Sequence, residues 1–124
     1  MKNDCIFCKI SDSEIVLRSK HSLAFYDKFP VNEGHLLIIS RRHISNYFEL
    51  LQKEKSDMWR LVDQASDLLK EKFSPTGFNI GINVNKSAGQ TIHHVHIHLI
   101  PRFDNDVEDP TGGVRGVIPS KQKY

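Results

Sequence analysis

Four of the seven histidines fall within six positions, as His93-His94-Val95-His96-Ile97-His98. His94, His96 and His98 alternate with Val95, Ile97 and Leu99, which predicts a strand over 93–100. Side chains two apart on a strand share a face and stand roughly 6–7 Å from one another. Adjacent imidazoles that each become cationic repel, so a fold gains nothing by stacking three of them for packing alone. Such a row suits phosphoryl chemistry: one neutral ring attacks phosphorus while its neighbours donate hydrogen bonds to the developing charge. A metal ion is the alternative, but consecutive same-face positions form an open row that does not converge on one ion without help. A metal-dependent hydrolase would also want a carboxylate beside the row, and none stands between Asn79 and Arg102. Just upstream, Asn85-Lys86-Ser87-Ala88-Gly89-Gln90-Thr91 reads as a polar turn. Its glycine lets backbone N–H groups approach an anion, with the Gln90 and Thr91 side chains as further donors.

The only two cysteines stand together, as Cys5-Ile6-Phe7-Cys8. A bridge between them would close a tiny loop and staple nothing. Redox work or metal ligation is the better use of the pair.

Several elements must hold these residues. Segments 14–19 and 21–27 interleave apolar and polar residues and read as two strands. Phe29 to Gly34 is a turn, and His35 to Ser40, with the run Leu36-Leu37-Ile38-Ile39, suits a strand buried on both faces or a central one. Met58, Leu61, Val62, Ala65, Leu68, Leu69 and Phe73 recur at spacings of three and four, one apolar stripe of a helix. That helix starts between Leu51 and Ser56 and ends before Ser74-Pro75-Thr76-Gly77. A further strand over 78–85 alternates Phe78, Ile80, Ile82 and Val84 with Asn79, Gly81, Asn83 and Asn85. Paired with the histidine strand, it would put apolar residues under the helix, and asparagines and histidines on the other face. Strands, one helix, then strands predict an α+β fold with an antiparallel sheet. The Asp-, Gly- and Pro-containing tail from Phe103 reads as irregular.

A chain of 124 residues is one domain long, so a single domain over 1–124 is expected. The formal charge of +2, from 17 basic and 15 acidic residues without a block of one sign, excludes a duplex nucleic-acid binder. The longest aliphatic run, Leu36 to Ile39, is too short for a bilayer, and no secretory signal is visible, so no membrane role and a cytoplasmic address are expected.

The stretch Gly89-Gln90-Thr91-Ile92-His93-His94-Val95-His96-Ile97-His98-Leu99-Ile100-Pro101-Arg102 resembles the signature of the histidine triad (HIT) superfamily. Cys5 and Cys8, Asp27, Pro30 to Gly34, Arg42-His43-Ile44 and Asn83 also fall where family members have counterparts, so the resemblance spans most of the chain. It implies a five-stranded antiparallel sheet with a main helix packed on one face, in a homodimer. It also implies transfer of a nucleoside monophosphate, usually adenylate, through a covalent nucleotidyl-histidine. Substrates would be dinucleoside polyphosphates, nucleoside phosphoramidates or other adenylated small molecules. Carried over, His96 is the nucleophile and His98 stabilises the phosphate. His94 orients the site, its backbone carbonyl accepting from Nδ1–H of His96. Asp27 binds the ribose hydroxyls, and Asn83, Gly89, Gln90 and Thr91 lie about the α-phosphate. The resemblance further implies zinc on Cys5, Cys8, His43 and His94, a structural tie between the N-terminal segment and the active strand. The competing readings are two reduced, idle thiols or a redox pair, and a redox pair would be expected beside a βαβ unit, which the chain lacks. The rival from another class is a nucleotide- or zinc-sensing module without turnover, which would have no need of a free His96 beside a phosphate loop.

Overall fold

Leu36 to Ser40 is buried along its whole length, as an aliphatic run must be if it is to sit at the centre of a sheet. In the computed structural model, which describes residues 4–124, it is the third of five strands. These are Ile15–Arg18 (β1), Ser22–Tyr26 (β2), Leu36–Ser40 (β3), Gly77–Gly81 (β4) and His96–Arg102 (β5), in the order β1-β2-β3-β5-β4. Every neighbouring pair is antiparallel.

The helix runs over Gln52–Phe73 (α1) and buries Met58, Leu61, Val62, Ala65 and Leu69. They pack on Leu36 and Ile38 of β3 and on Ile97 and Leu99 of β5. Leu51, before the helix, has no side-chain acceptor, so its start carries no ordinary signal in sequence. Instead Glu54 reaches back, its Oε1 accepting from Leu51 N–H at 2.8 Å. Arg42 holds that carboxylate through two bonds of 2.9 and 2.8 Å, joining the end of β3 to the first helical turn. At the other end Ser74 takes a left-handed φ of 53° and donates its N–H to the Lys70 carbonyl; Pro75 prevents any continuation.

The opposite sheet face carries a second core, in which Phe25, Leu37 and Ile39 pack with Cys5 and Phe7. His98 pairs with Leu37 and His96 with Ile39, so the histidines look out on this face and not on the helix. Expectation and structure differ in two strands. The strand expected over 93–100 begins only at His96, because Val95 N–H goes to the Ile44 carbonyl at 2.7 Å and the Ser40 carbonyl accepts from the His94 ring. His94 therefore stands outside the ladder. The strand expected over 78–85 ends at Gly81, where the chain leaves to form a loop over 82–90. It is also an edge strand, so Ile80, expected under the helix, is 42% exposed. The tail is irregular apart from short turns at Gly113–Val117 and Pro119–Lys121. It is anchored where Arg102 grips Asp106. Among the described residues no helix is long and apolar enough to cross a membrane.

Candidate active site

Two groups of side chains meet on the second face. In the first, Cys5, Cys8, His43 and His94 bring their four ligand atoms within 4.8 Å of one another. The Sγ of Cys5 lies 3.4 Å from Nδ1 of His94, and that of Cys8 lies 3.2 Å from Nδ1 of His43. The His94 ring donates Nε2–H to the Ser40 carbonyl at 2.7 Å. That bond fixes the tautomer with its lone pair on Nδ1, toward the cysteines. Two thiolates and two imidazoles form a tetrahedral zinc donor set, and the His94 tautomer is the one a metal requires.

In the second group, His96 and His98 stand side by side with ring centroids 4.9 Å apart. Nδ1–H of His96 donates to the His94 carbonyl at 2.8 Å, which leaves Nε2 with the lone pair. Phe7 packs edge-on against His94 and His96, at centroid distances of 6.0 and 5.1 Å, and so couples the two groups.

His35, in sequence only the residue that opens an aliphatic strand, completes the constellation. It is buried, and Val31 N–H donates to its Nδ1 at 3.0 Å. Neutral His35 must therefore carry its hydrogen on Nε2, 3.0 Å from Nδ1 of His98. His98 accepts there, so its own hydrogen sits on Nε2. The one visible signal was a histidine opening an otherwise aliphatic strand. The Asp27 carboxylate lies 3.6 Å from the same His35 nitrogen. Asp27, His35 and His98 are close enough to share an ion. The Val31 N–H argues against one, since metal on Nε2 would force a hydrogen onto Nδ1 against that donor.

Burial lowers the pKa of His35, His94 and His96. For His98, burial and the neighbouring rings of His96 and His35 bring it down to about 4. These four imidazoles are thus held toward the neutral form.

His96 and His98 line a cavity of about 440 Å³, together with Phe25, Asp27, Asn83, Gly89, Gln90 and Thr91. Of the residues assigned from sequence to catalysis or substrate binding, all but His94 border this one space, though not all with the expected hydrogen bonds. Gln90 is buried and spends its amide within the loop. It donates to the Ser45 and Ile92 carbonyls and accepts from Asn85 N–H. The N–H groups of Gly89 and Gln90 are taken by the Lys86 and Asn85 carbonyls. The loop is therefore a self-braced wall, and within it Gln90 is not the free donor that sequence suggested. Gly89 is needed for its φ of 95°, which L residues rarely adopt. Asp27 also serves its local turn, Oδ1 accepting from Phe29 N–H at 2.9 Å.

The HIT domain model matches residues 9–105. The bis(5'-adenosyl)-triphosphatase of Dictyostelium discoideum is 36% identical over 100 residues, which are 81% of this chain and 67% of that protein. A HIT family protein from Bacillus anthracis superposes with a TM-score of 0.77 at 38% identity, covering 83% of this chain and 76% of its own. A Zn-bound histidine triad family protein from Mycobacterium smegmatis superposes with a TM-score of 0.78 at 26% identity, covering 86% of this chain and 80% of that one. Matched over most of its length by the domain model and by relatives above 30% identity, the chain belongs to the HIT domain family.

Proposed function

We propose that the chain is a nucleotidyl hydrolase or transferase acting at the α-phosphate of dinucleoside polyphosphates or nucleoside phosphoramidates, with adenine the expected base. The observation that carries this is the His96 tautomer. Its Nδ1–H is held by the His94 carbonyl, and Nε2, with its lone pair, belongs to a ring that lines the cavity. Burial keeps that ring neutral and therefore nucleophilic.

In the first step, the Nε2 lone pair of His96 forms a bond to the α-phosphorus. The bond from phosphorus to the leaving group breaks, and the leaving group departs with its electron pair and takes a proton from solvent. In the second step, water adds to phosphorus and releases a proton to solvent, the N–P bond breaks, and the electron pair returns to Nε2. His98 donates Nε2–H to a non-bridging phosphate oxygen in both steps, in the orientation that His35 enforces. Thr91, whose N–H and hydroxyl have no partner among the described residues, supplies the loop's donors in place of Gln90. Asp27 Oδ2 receives a ribose hydroxyl. The Dictyostelium relative's name supports the choice of a dinucleoside polyphosphate.

Cys5, Cys8, His43 and His94 would hold zinc, which when bound would fasten the N-terminal segment over Phe7 and the histidine strand. The Zn-bound Mycobacterium smegmatis relative supports the assignment. We also take the protein to be a homodimer and to fold as one HIT domain over its length. The outer edge of β4, the strand that carries the exposed Ile80, is unpaired among the described residues and is an edge that a second copy can cover. The test of the activity is turnover of diadenosine triphosphate to AMP and ADP, followed chromatographically. A wild-type protein that turns over neither this compound nor an adenosine phosphoramidate would leave the sensor reading in its place.

A further inference from the structure

The pocket around His96 is not the only space on this sheet face. Residues 96, 98, 100 and 102 of β5 point to the same side. Beyond His98 that side opens into a second cavity of about 490 Å³, floored by Ile100 and Asn79 and walled by the C-terminal turns. Its walls include Val31, Val114 and Val117, which are 68%, 61% and 78% exposed. Ligand pockets span roughly 300–1,000 Å³, so each of the two spaces can take one nucleoside-sized group.

What lies between them is Gly81. It pairs directly with His98 across the β4–β5 ladder. A Cβ built there would meet nothing within 4 Å, so the floor opposite His98 is open. Gly81 therefore places no side chain in the track that leads along the sheet from His98 toward the second cavity.

The charge of that cavity says what it would accept. Its one arginine, Arg102, is spoken for. Nε and Nη2 donate to Asp106 at 2.7 and 2.8 Å, and Nη1 donates to Asn79 at 2.7 Å. No cation there is left for a phosphate. The rest of the lining joins aliphatic side chains to the Asp106 carboxylate, which Arg102 neutralises, and to the carboxamides of Asn79, Gln122 and Asn32, the last with its amide hydrogens given to Pro101 and Asp106. Aliphatic walls with carboxamide edges suit an uncharged heteroaromatic ring: its faces against valine, its edge against amide groups.

We propose that this groove binds the leaving half of the substrate, the second nucleoside of a dinucleoside polyphosphate, while the phosphates stay beside the histidines. The proposal rests on the reading of the His96 pocket as the nucleotide site. The experiment therefore tests the two separately. The probes are AMP, which fills the first pocket only, and diadenosine triphosphate, added to isotopically labelled His96→Asn protein so that it stays intact. AMP is expected to shift amide signals of Asn83 and Thr91 only. Diadenosine triphosphate is expected to shift these and also Val114 and Val117. Gly81→Val, which suits a strand and meets no neighbour, blocks the track. It should weaken diadenosine triphosphate about tenfold or more, the scale of a misplaced methylene in an apolar pocket, and leave AMP binding unchanged. Shifts from diadenosine triphosphate confined to the first pocket, or equal affinity in Gly81→Val, would overturn the groove assignment and leave the nucleotide pocket standing. Signals of Val114 and Val117 that move with protein concentration alone would also overturn it, by giving the groove to a second copy. If neither compound moves Asn83 or Thr91, the nucleotide site and the groove fall together.

Discussion

Nδ1–H of His96 lies 2.8 Å from the backbone carbonyl of His94, so the residue whose ring faces the two cysteines also sets the tautomer of the ring that faces the pocket. The acceptor is main chain, not side chain. Substituting the His94 ring thus removes a thiol neighbour without removing the bond that frees Nε2 of His96.

The first prediction concerns that nitrogen. His96→Ala should abolish turnover while leaving the circular dichroism spectrum and the melting profile close to those of the parent. Acid-quenched parent protein should carry a nucleotidyl adduct on His96, seen as a mass increase on its peptide. Full activity in the variant would sink the nucleophile assignment.

A second prediction separates His98 from His35. Removing one preorganised donor to a developing oxyanion costs about 10²–10³ in kcat, which is the loss expected of His98→Ala. His35 touches no substrate in this scheme and acts by fixing the His98 tautomer. His35→Gln should lower kcat with little change in KM. It should also alter the pH dependence of kcat in the acid limb, since His98 loses the partner that holds its hydrogen on Nε2. Unchanged kinetics in His35→Gln would mean that the chain of hydrogen bonds through Val31 is structural only.

Stability should depend on pH in a direction fixed by the same cluster. His98 titrates at about 4 in the folded protein against 6.5 as its ordinary value. Between these limits the unfolded chain binds a proton that the folded chain refuses, so stability falls as pH drops from about 6.5 toward 4. His35, His94 and His96 are lowered too and act in the same sense. Urea midpoints measured with a chelator present, to remove metal loss as a variable, should decline over this window. His98→Asn should decline less steeply. Parallel slopes in the two proteins would contradict the assignment.

Much of this is legible in the amino-acid sequence itself. The alternation around His96 and His98, the stripe on α1 and the aliphatic β3 follow from periods of two and 3.6 that each element must satisfy. What stayed hidden depends on bonds made across the sequence. Asn83 leaves its strand, and Gln90 points inward, because the Gln90 amide ties Asn85, Ser45 and Ile92 together. His35 gains a role only through a neighbour 63 positions away. The start of α1 was blurred because its cap comes from Glu54 and Arg42 rather than from a polar residue at Leu51.

Asp57 gives a prediction about the fold alone. It is buried on α1, and its Oδ2 accepts from the Ser19 and Ser22 hydroxyls and from His21 N–H, so it pins the β1–β2 turn to the helix. Burial raises its pKa, but these three donors more than offset that and hold it below the usual value. Asp57→Ala removes the shared acceptor, leaving the Ser19 hydroxyl only the Ser22 carbonyl at 3.4 Å, and should cost about 2–3 kcal/mol in a denaturation experiment. Nothing in the pocket changes, so kcat at low temperature should not.

The last prediction is the metal. Two cysteines cannot complete a zinc site, and the structure brings His43 and His94 to them from 35 and 86 positions away. The His94 ring is already turned by the Ser40 carbonyl to present Nδ1. One zinc per chain is therefore expected in protein purified without chelator, by elemental analysis. Cys5→Ser, Cys8→Ser protein should hold none. Binding requires deprotonated thiolates and a neutral imidazole, so zinc should dissociate progressively as pH falls. Because Cys5 and Phe7 form part of the core over Phe25 and Ile39, loss of the ion should lower thermal stability and expose amides of residues 5–10 to hydrogen exchange. The His96 tautomer, set by a backbone carbonyl, should survive, so the metal-free protein should retain a reactive His96. Equal zinc in the parent and the double variant, or none in either, would mean that the cysteine pair is not a metal site.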